Sequence, residues 1–224
     1  SKITDDTFGV IKDVAFINCS MAEGLYGSSF FANRVYGTVE NVYLDVTLTT
    51  NTGHATGNSI LIGYNDVYGI EPKGAGTFNN ITIVVGGLGA SDYVMKGADA
   101  TVSAFKSSIV IIGAAENKIH NKIATISELT AANNNIKAYT SAANASGDTT
   151  LTTCGEDITF ATTGDTFTIV WKGKTVYSEE IVFELAQTLY SIDDATIDFA
   201  KLGVTVNEDT VITRNGANVA FTLD

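Results

Sequence analysis

The sequence GTVENV at residues 37–42 returns as GTFNNI at residues 76–81, and both stretches open a run rich in β-branched residues. A short Leu-x-Gly step precedes each of them, as LYG at 25–27 and as LIG at 61–63. Repetition on this scale is typical of chains that stack similar units and bury the apolar face of each unit against the next. The first half of the chain therefore predicts a stacked β architecture.

A third copy, GVIKDV at residues 9–14, aligns with the other two and places Asp13 where they have Asn41 and Asn80. In stacked parallel strands, an Asn at the same bend of each unit can bond its own backbone and the equivalent residue one unit away. We expect Asp13, Asn41 and Asn80 to form such an inward-facing ladder. The recurring glycines would supply positive φ or a close approach at the corner.

The second half of the chain has a different residue composition and pattern. Residues 126–148 are rich in Ser, Ala, Thr and Asn, which favours a last polar unit and a connection, with a short helix over 126–133. Farther on, short strand signals follow one another, and Asn215-Gly216 between two apolar stretches predicts a hairpin. Several short strands with turns between them are typical of a small antiparallel sandwich, immunoglobulin-like in class.

The Leu-x-Gly step followed by Gly-Thr-x-x-Asn-Val-Tyr, complete between Leu25 and Tyr43, resembles the GLUG-type repeats of bacterial surface proteins. Those repeats are similar to the right-handed parallel β-helices of filamentous adhesins and pectate lyases. The resemblance covers residues 9 to about 112. It implies a right-handed parallel β-helix, export to the cell surface and an immunoglobulin-like module after the helix.

The predicted fold class is therefore all-β, a short right-handed parallel β-helix followed by a small antiparallel immunoglobulin-like β-sandwich. The predicted domains are the β-helix at 1–128, a polar terminal coil and connection at 129–149, and the sandwich at 150–224. The chain starts at Ser1 inside repeat-like sequence, so we expect it to be part of a longer protein.

Charge and composition exclude several classes of function. The chain has 25 acidic and 13 basic residues, a formal charge of -12, and such a field repels nucleic-acid phosphates and anionic lipid. Hydrophobic residues make up 45% and charged residues 17%, which argues against disorder. No apolar run approaches the length of a membrane span. We therefore expect no nucleic-acid partner and no membrane span.

No catalytic or metal-binding pattern stands out. A polysaccharide lyase or hydrolase would need clustered carboxylates, and the acidic residues of the first half are scattered. Neither His54 nor His120 has a second ligand close to it in sequence, so no metal and no cofactor are predicted.

One loop offers a candidate glycan site. Tyr64, Asn65, Asp66 and Tyr68 lie together after the second Leu-x-Gly step, so two rings could hold a sugar while the amide and the carboxylate bond its hydroxyls. The alternative, which the repeat favours, is that Tyr64 covers the core of the stack.

Together these observations predict a non-catalytic extracellular module of a secreted bacterial protein, an adhesin or scaffold segment. Its partners would be a glycan or a host or cell-surface protein. The alternative is a carbohydrate-active β-helix module, either polysaccharide-binding or similar to a pectate lyase.

Overall fold

The computed structural model describes residues 9–22, 28–33, 35–49, 57–63, 76–97, 99–181, 212–214 and 217–219. The chain divides into two compact units, Ser1–Phe183 and Glu184–Asp224. Described strands of the first unit are, in chain order, β1 (Val10–Met21), β2 (Thr38–Leu48), β3 (Ser59–Ile62), β4 (Thr77–Gly86), β5 (Tyr93–Met95), β6 (Ile109–Ile112), β7 (Ile136–Tyr139), β8 (Thr153–Cys154), β9 (Ile158–Thr163), β10 (Thr166–Trp171) and β11 (Lys174–Glu180).

Helical structure in the described residues is short. The helices are α1 (Ile126–Ala132) and α2 (Ala142–Ser146), with 3-10 turns at Asp99–Ala104 and Glu116–Lys118. A capping box starts α1, because the Thr125 side chain accepts from the backbone of Glu128 while the Glu128 side chain accepts from the backbone of Thr125. The short helix predicted over 126–133 is thereby confirmed.

The largest sheet is parallel and follows the order of the chain, β1-β2-β4-β6-β7. Equivalent positions of the repeated phrase pair directly, since Lys12 lies opposite Glu40 and Val14 opposite Val42. The next pair of strands keeps this register, with Val42 opposite Ile81. The alignment of the three phrases made from the sequence is therefore the register of the sheet.

A second parallel sheet, β3-β5, is built from the segments between these strands. Parallel bridges from Ser29 to Ser59 and from Met95 to His120 extend it on both sides. Successive segments of the chain thus belong alternately to the large and to the small parallel sheet. Between the two sheets lies the main apolar core, where side chains such as Leu44, Leu61 and Ile111 are fully buried. Each such side chain contributes about 1.5–3 kcal/mol to the free energy of unfolding through burial.

Glycines at the start of the repeated phrase permit close approach between strands. A Cβ atom on Gly37 would lie 2.0 Å from the carbonyl oxygen of Gly9, and one on Gly76 would lie 2.9 Å from the carbonyl oxygen of Gly37. Neither glycine has positive φ. Gly37 and Gly76 therefore allow the backbones of neighbouring segments to approach closely, and they do not supply a positive φ.

A four-stranded antiparallel sheet, β11-β10-β9-β8, covers the opposite face of the large sheet. Its apolar side chains, among them Phe160, Phe167 and Ile169, pack against Val84 and Val110. Phe160 and Phe167 come from neighbouring strands and stack with ring centroids 6.3 Å apart. Strand β6 and residues 81–85 of β4 are consequently buried on both faces, and β6 is apolar at all of its positions.

The second unit contributes one described element, an antiparallel hairpin of β12 (Ile212–Arg214) and β13 (Ala217–Val219). Arg214 lies opposite Ala217, so Asn215-Gly216 connects the strands and the predicted hairpin is confirmed. The described chain is mostly β, with parallel and antiparallel sheets, as the predicted fold class requires at this level.

Candidate functional site

The structure brings Asp13, Asn41 and Asn80 together in one row across β1, β2 and β4. The Asn41 side-chain amide donates to Asp13 Oδ1 at 3.2 Å, and the Asn80 amide donates to Asn41 Oδ1 at 3.1 Å. Ser107 extends the row, since its hydroxyl donates to Asn80 Oδ1 at 3.0 Å. We call these four residues the amide ladder.

Each of the first three ladder residues has a left-handed backbone, with φ of 61° at Asp13, 51° at Asn41 and 54° at Asn80. Asn and Asp tolerate this conformation better than other residues with a side chain, which explains why the repeat keeps them here. Asn41 and Asn80 are half-buried and Asp13 is exposed. The inward orientation expected for the ladder is not seen at Asp13, because β1 is the end strand of the large sheet and no described strand covers it from beyond.

Lys172 joins the ladder to the antiparallel sheet. Its ammonium group lies 3.2 Å from Asp13 Oδ1 and 3.5 Å from Asp157 Oδ2, and it also sits over the ring of Trp171. The hydrogen bond from Asn41, and then that from Lys172, hold the pKa of the Asp13 carboxyl below its usual range. The ladder and its lysine form a structural network that ties the two sheets together.

A second polar group lies where β11 passes over β1 and β2. Ile17 and Asn18 of β1 stand opposite Asp45 alone, a bulge that turns the backbone N–H of Asn18 toward Asp45 Oδ2 at 3.1 Å. Tyr43 lies two residues before Asp45 and therefore on the same face of β2.

From β11, Tyr177 donates its hydroxyl to Glu179 Oε2, and its ring meets Phe167 edge-on. We call Asn18, Tyr43, Asp45, Tyr177 and Glu179 the rim cluster. Among them Tyr43 is fully buried, Asp45 and Tyr177 are half-buried, and Asn18 and Glu179 are exposed.

Tyr177 packs against the buried cluster that contains Tyr43, and three members of the rim cluster have raised pKa values. Burial raises the pKa of the Tyr43 phenol, and the Asp45 carboxylate and the Tyr177 phenol raise it further. Burial likewise raises the pKa of Asp45, against the hydrogen bond from Asn18. The pKa of Tyr177 is raised by burial and by Glu179. Both phenols therefore remain protonated near neutral pH, which suits them to hydrogen bonding and not to nucleophilic chemistry.

The Tyr43 hydroxyl is buried without a hydrogen-bond partner in the described part of the chain. Tyr43→Phe is therefore expected to leave the free energy of unfolding unchanged or to raise it by about 1 kcal/mol, because no hydrogen bond is lost. Tyr139→Phe is the matched control, since the Tyr139 hydroxyl donates to Asp148 at 2.5 Å and its removal should be destabilising. Urea unfolding measures the free energy of unfolding of both variants. If Tyr43→Phe lowered it as much as Tyr139→Phe, the Tyr43 hydroxyl would have a hydrogen-bond partner after all.

The glycan site predicted at Tyr64, Asn65, Asp66 and Tyr68 lies outside the described residues. Sequence reasoning missed the rim cluster, whose members come from strands more than 100 residues apart. One signal was present: from Val42 to Leu48 the strand alternates between apolar residues and Tyr43, Asp45 and Thr47. That alternation marks the face of β2 that leaves the main core.

Metal-ligating groups do not converge among the residues that the structure describes, where no set of three or more His, Cys, Asp or Glu side chains could hold an ion. Within the same ranges, no helix has the length and apolar character needed to cross a membrane. No family model, curated protein or solved structure matches this chain.

Proposed function

We propose that the chain is a non-catalytic module of an extracellular bacterial surface protein, where it serves as an adhesin or scaffold segment. In this proposal the first part of the chain is a short right-handed parallel β-helix. The alternation of the chain between two parallel sheets, in matching order, is the observation that carries the proposal. Right-handed crossovers between parallel strands are the rule, which supports the handedness.

For residues 150–224 the proposal retains an antiparallel module. Both the meander β8–β11 and the hairpin β12–β13 are antiparallel, which supports that class. An immunoglobulin-like sandwich needs a second sheet, and the strand signals that would supply it lie in 182–211, outside the described residues.

A scaffold role agrees with the chemistry of the described side chains. The amide ladder and the Lys172 ion pairs engage their polar groups with one another. The two tyrosines of the rim cluster have raised pKa values, whereas a tyrosine that acts as a nucleophile or base needs a pKa lowered toward neutrality. The polar networks therefore favour rigidity and surface recognition over turnover.

The proposal is tested by two assays on the same purified chain. Beads coated with the folded chain should adhere to glycoprotein-coated or cell surfaces more than beads coated with the chain unfolded by heat. Incubation with pectin, xylan and other polysaccharides should release neither reducing ends nor unsaturated uronates. Release of either product would replace this proposal with the carbohydrate-active enzyme, and equal adhesion of folded and unfolded chains would remove the adhesin role.

A further inference from the structure

The rim cluster combines hydrogen-bond donors and acceptors at the surface of the molecule. Asp45 Oδ2 accepts from Asn18, and one carboxylate oxygen of Glu179 accepts from Tyr177, so each carboxylate has a second oxygen with further capacity. Neither carboxylate takes part in an ion pair within the described part of the chain. Asn18, whose backbone N–H donates to Asp45, is itself exposed.

The Tyr43 hydroxyl adds an independent observation beneath this surface. It is fully buried and lacks a partner among the described residues, although buried hydroxyls normally have one. Tyr43 lies on the same face of β2 as Asp45. The pKa of its phenol is raised by burial and, beyond that, by the Asp45 carboxylate and the Tyr177 phenol. Because the Tyr43 hydroxyl is out of reach of a surface ligand, an ordered water between it and a hydroxyl bound at the rim would give it the missing partner.

We propose that the rim cluster is a binding site for neutral, hydroxyl-rich glycans. Each sugar hydroxyl both donates and accepts, so it matches a site that offers the remaining carboxylate oxygens of Asp45 and Glu179 as acceptors and the exposed Asn18 amide as a donor. The half-buried ring of Tyr177 supplies an apolar surface for the face of a sugar ring. A metal cation would use only the carboxylate oxygens and could not accept a hydrogen bond from the exposed Asn18 amide.

The charge of the site selects among glycans. Two carboxylates that have no cationic partner among the described residues, in a chain with a formal charge of -12, repel sulfated and sialylated sugars. Neutral oligosaccharides are therefore the expected ligands. This inference goes beyond the proposed scaffold role, because a scaffold or a protein-binding adhesin would function without it.

The test starts with a printed array of neutral, sialylated and sulfated oligosaccharides, followed by calorimetric titration of the strongest neutral ligand. Glu179→Gln should weaken binding about tenfold or more, the loss typical of one charge-assisted hydrogen bond. Tyr43→Phe should also weaken binding while the fold remains intact. Glu180→Gln is the matched control, since Glu180 is also exposed on β11 but its side chain points to the other face of the strand.

Several results would overturn the proposal. They are the absence of binding to every neutral glycan, binding restricted to anionic glycans, and equal affinity for the wild-type chain and Glu179→Gln. A cation site is tested in parallel by calcium titration, with the amide signal of Asn18 followed by NMR. A shift of that signal with calcium but not with the glycan would assign the cluster to a cation instead.

Discussion

Gly87→Ala is expected to lower the free energy of unfolding by about 3 kcal/mol. Gly87 follows β4 with a φ of 73°, where a side chain is strained, and its Cβ would lie 2.1 Å from the carbonyl oxygen of Leu48. That oxygen belongs to the last residue of β2, whose backbone is held in the large sheet and has little freedom to move. Urea or thermal unfolding followed by circular dichroism measures the loss.

Gly164→Ala separates the two causes. Gly164 lies in the turn between β9 and β10 with a φ of 58°, and a Cβ there would meet nothing within 4 Å. Only the conformational cost of about 1–2 kcal/mol applies to it. The difference between the two variants therefore reports the close approach of the strands, and equal losses in both would mean that the stack relaxes to admit the methyl group.

Asn41→Ala is the second substitution with a large expected effect, a loss of about 2–3 kcal/mol. Alanine is strained at a φ of 51°, and the change also removes the hydrogen bonds to Asp13 and from Asn80. Asn18→Ala is the control, because Asn18 has a φ of 49° and lies outside the ladder. Its loss should be about 1–2 kcal/mol, the conformational part alone.

A second readout belongs to the ladder specifically. The hydrogen bond from Asn41 is the main cause of the lowered pKa of Asp13, so Asn41→Ala should raise that pKa toward its ordinary value while Asn18→Ala leaves it unchanged. NMR titration of the Asp13 carboxyl carbon measures this. A pKa of Asp13 that stays low in Asn41→Ala would show that Lys172 alone sets it.

The stacking of the first half could be predicted because an alignment of the repeated phrases also gives the register in which their strands pair. Once Gly9, Gly37 and Gly76 are aligned, Asp13, Asn41 and Asn80 fall in one row, and the structure brings them together there. Their orientation could not be predicted in the same way. A left-handed residue within a strand changes which side the following residues face, and the sequence pattern does not show which Asn adopts that conformation.

The packing of the antiparallel sheet on the parallel one was also outside what the sequence predicted. The run Ile109–Ile112 is apolar at every position, which is the pattern of a strand buried on both faces. Its partner on the second face, however, is 40 or more residues away, in strands read as a separate sandwich. The rim cluster was missed for the same reason, since Asp45 and Tyr177 meet only where the two sheets overlap.

The hydrogen bonds between side chains of the amide ladder all run in one direction. Ser107 donates to Asn80, Asn80 to Asn41, and Asn41 to Asp13. An ionised carboxylate has no hydrogen to donate, so the sequence of donors terminates at Asp13. A neighbouring segment could therefore join this row beyond β1 only with a group that donates to Asp13. An amide that turned its oxygen toward Asp13 would be repelled by the carboxylate. The row thus has a polarity, and the single change from Asn to Asp in the first copy of the repeat defines its end.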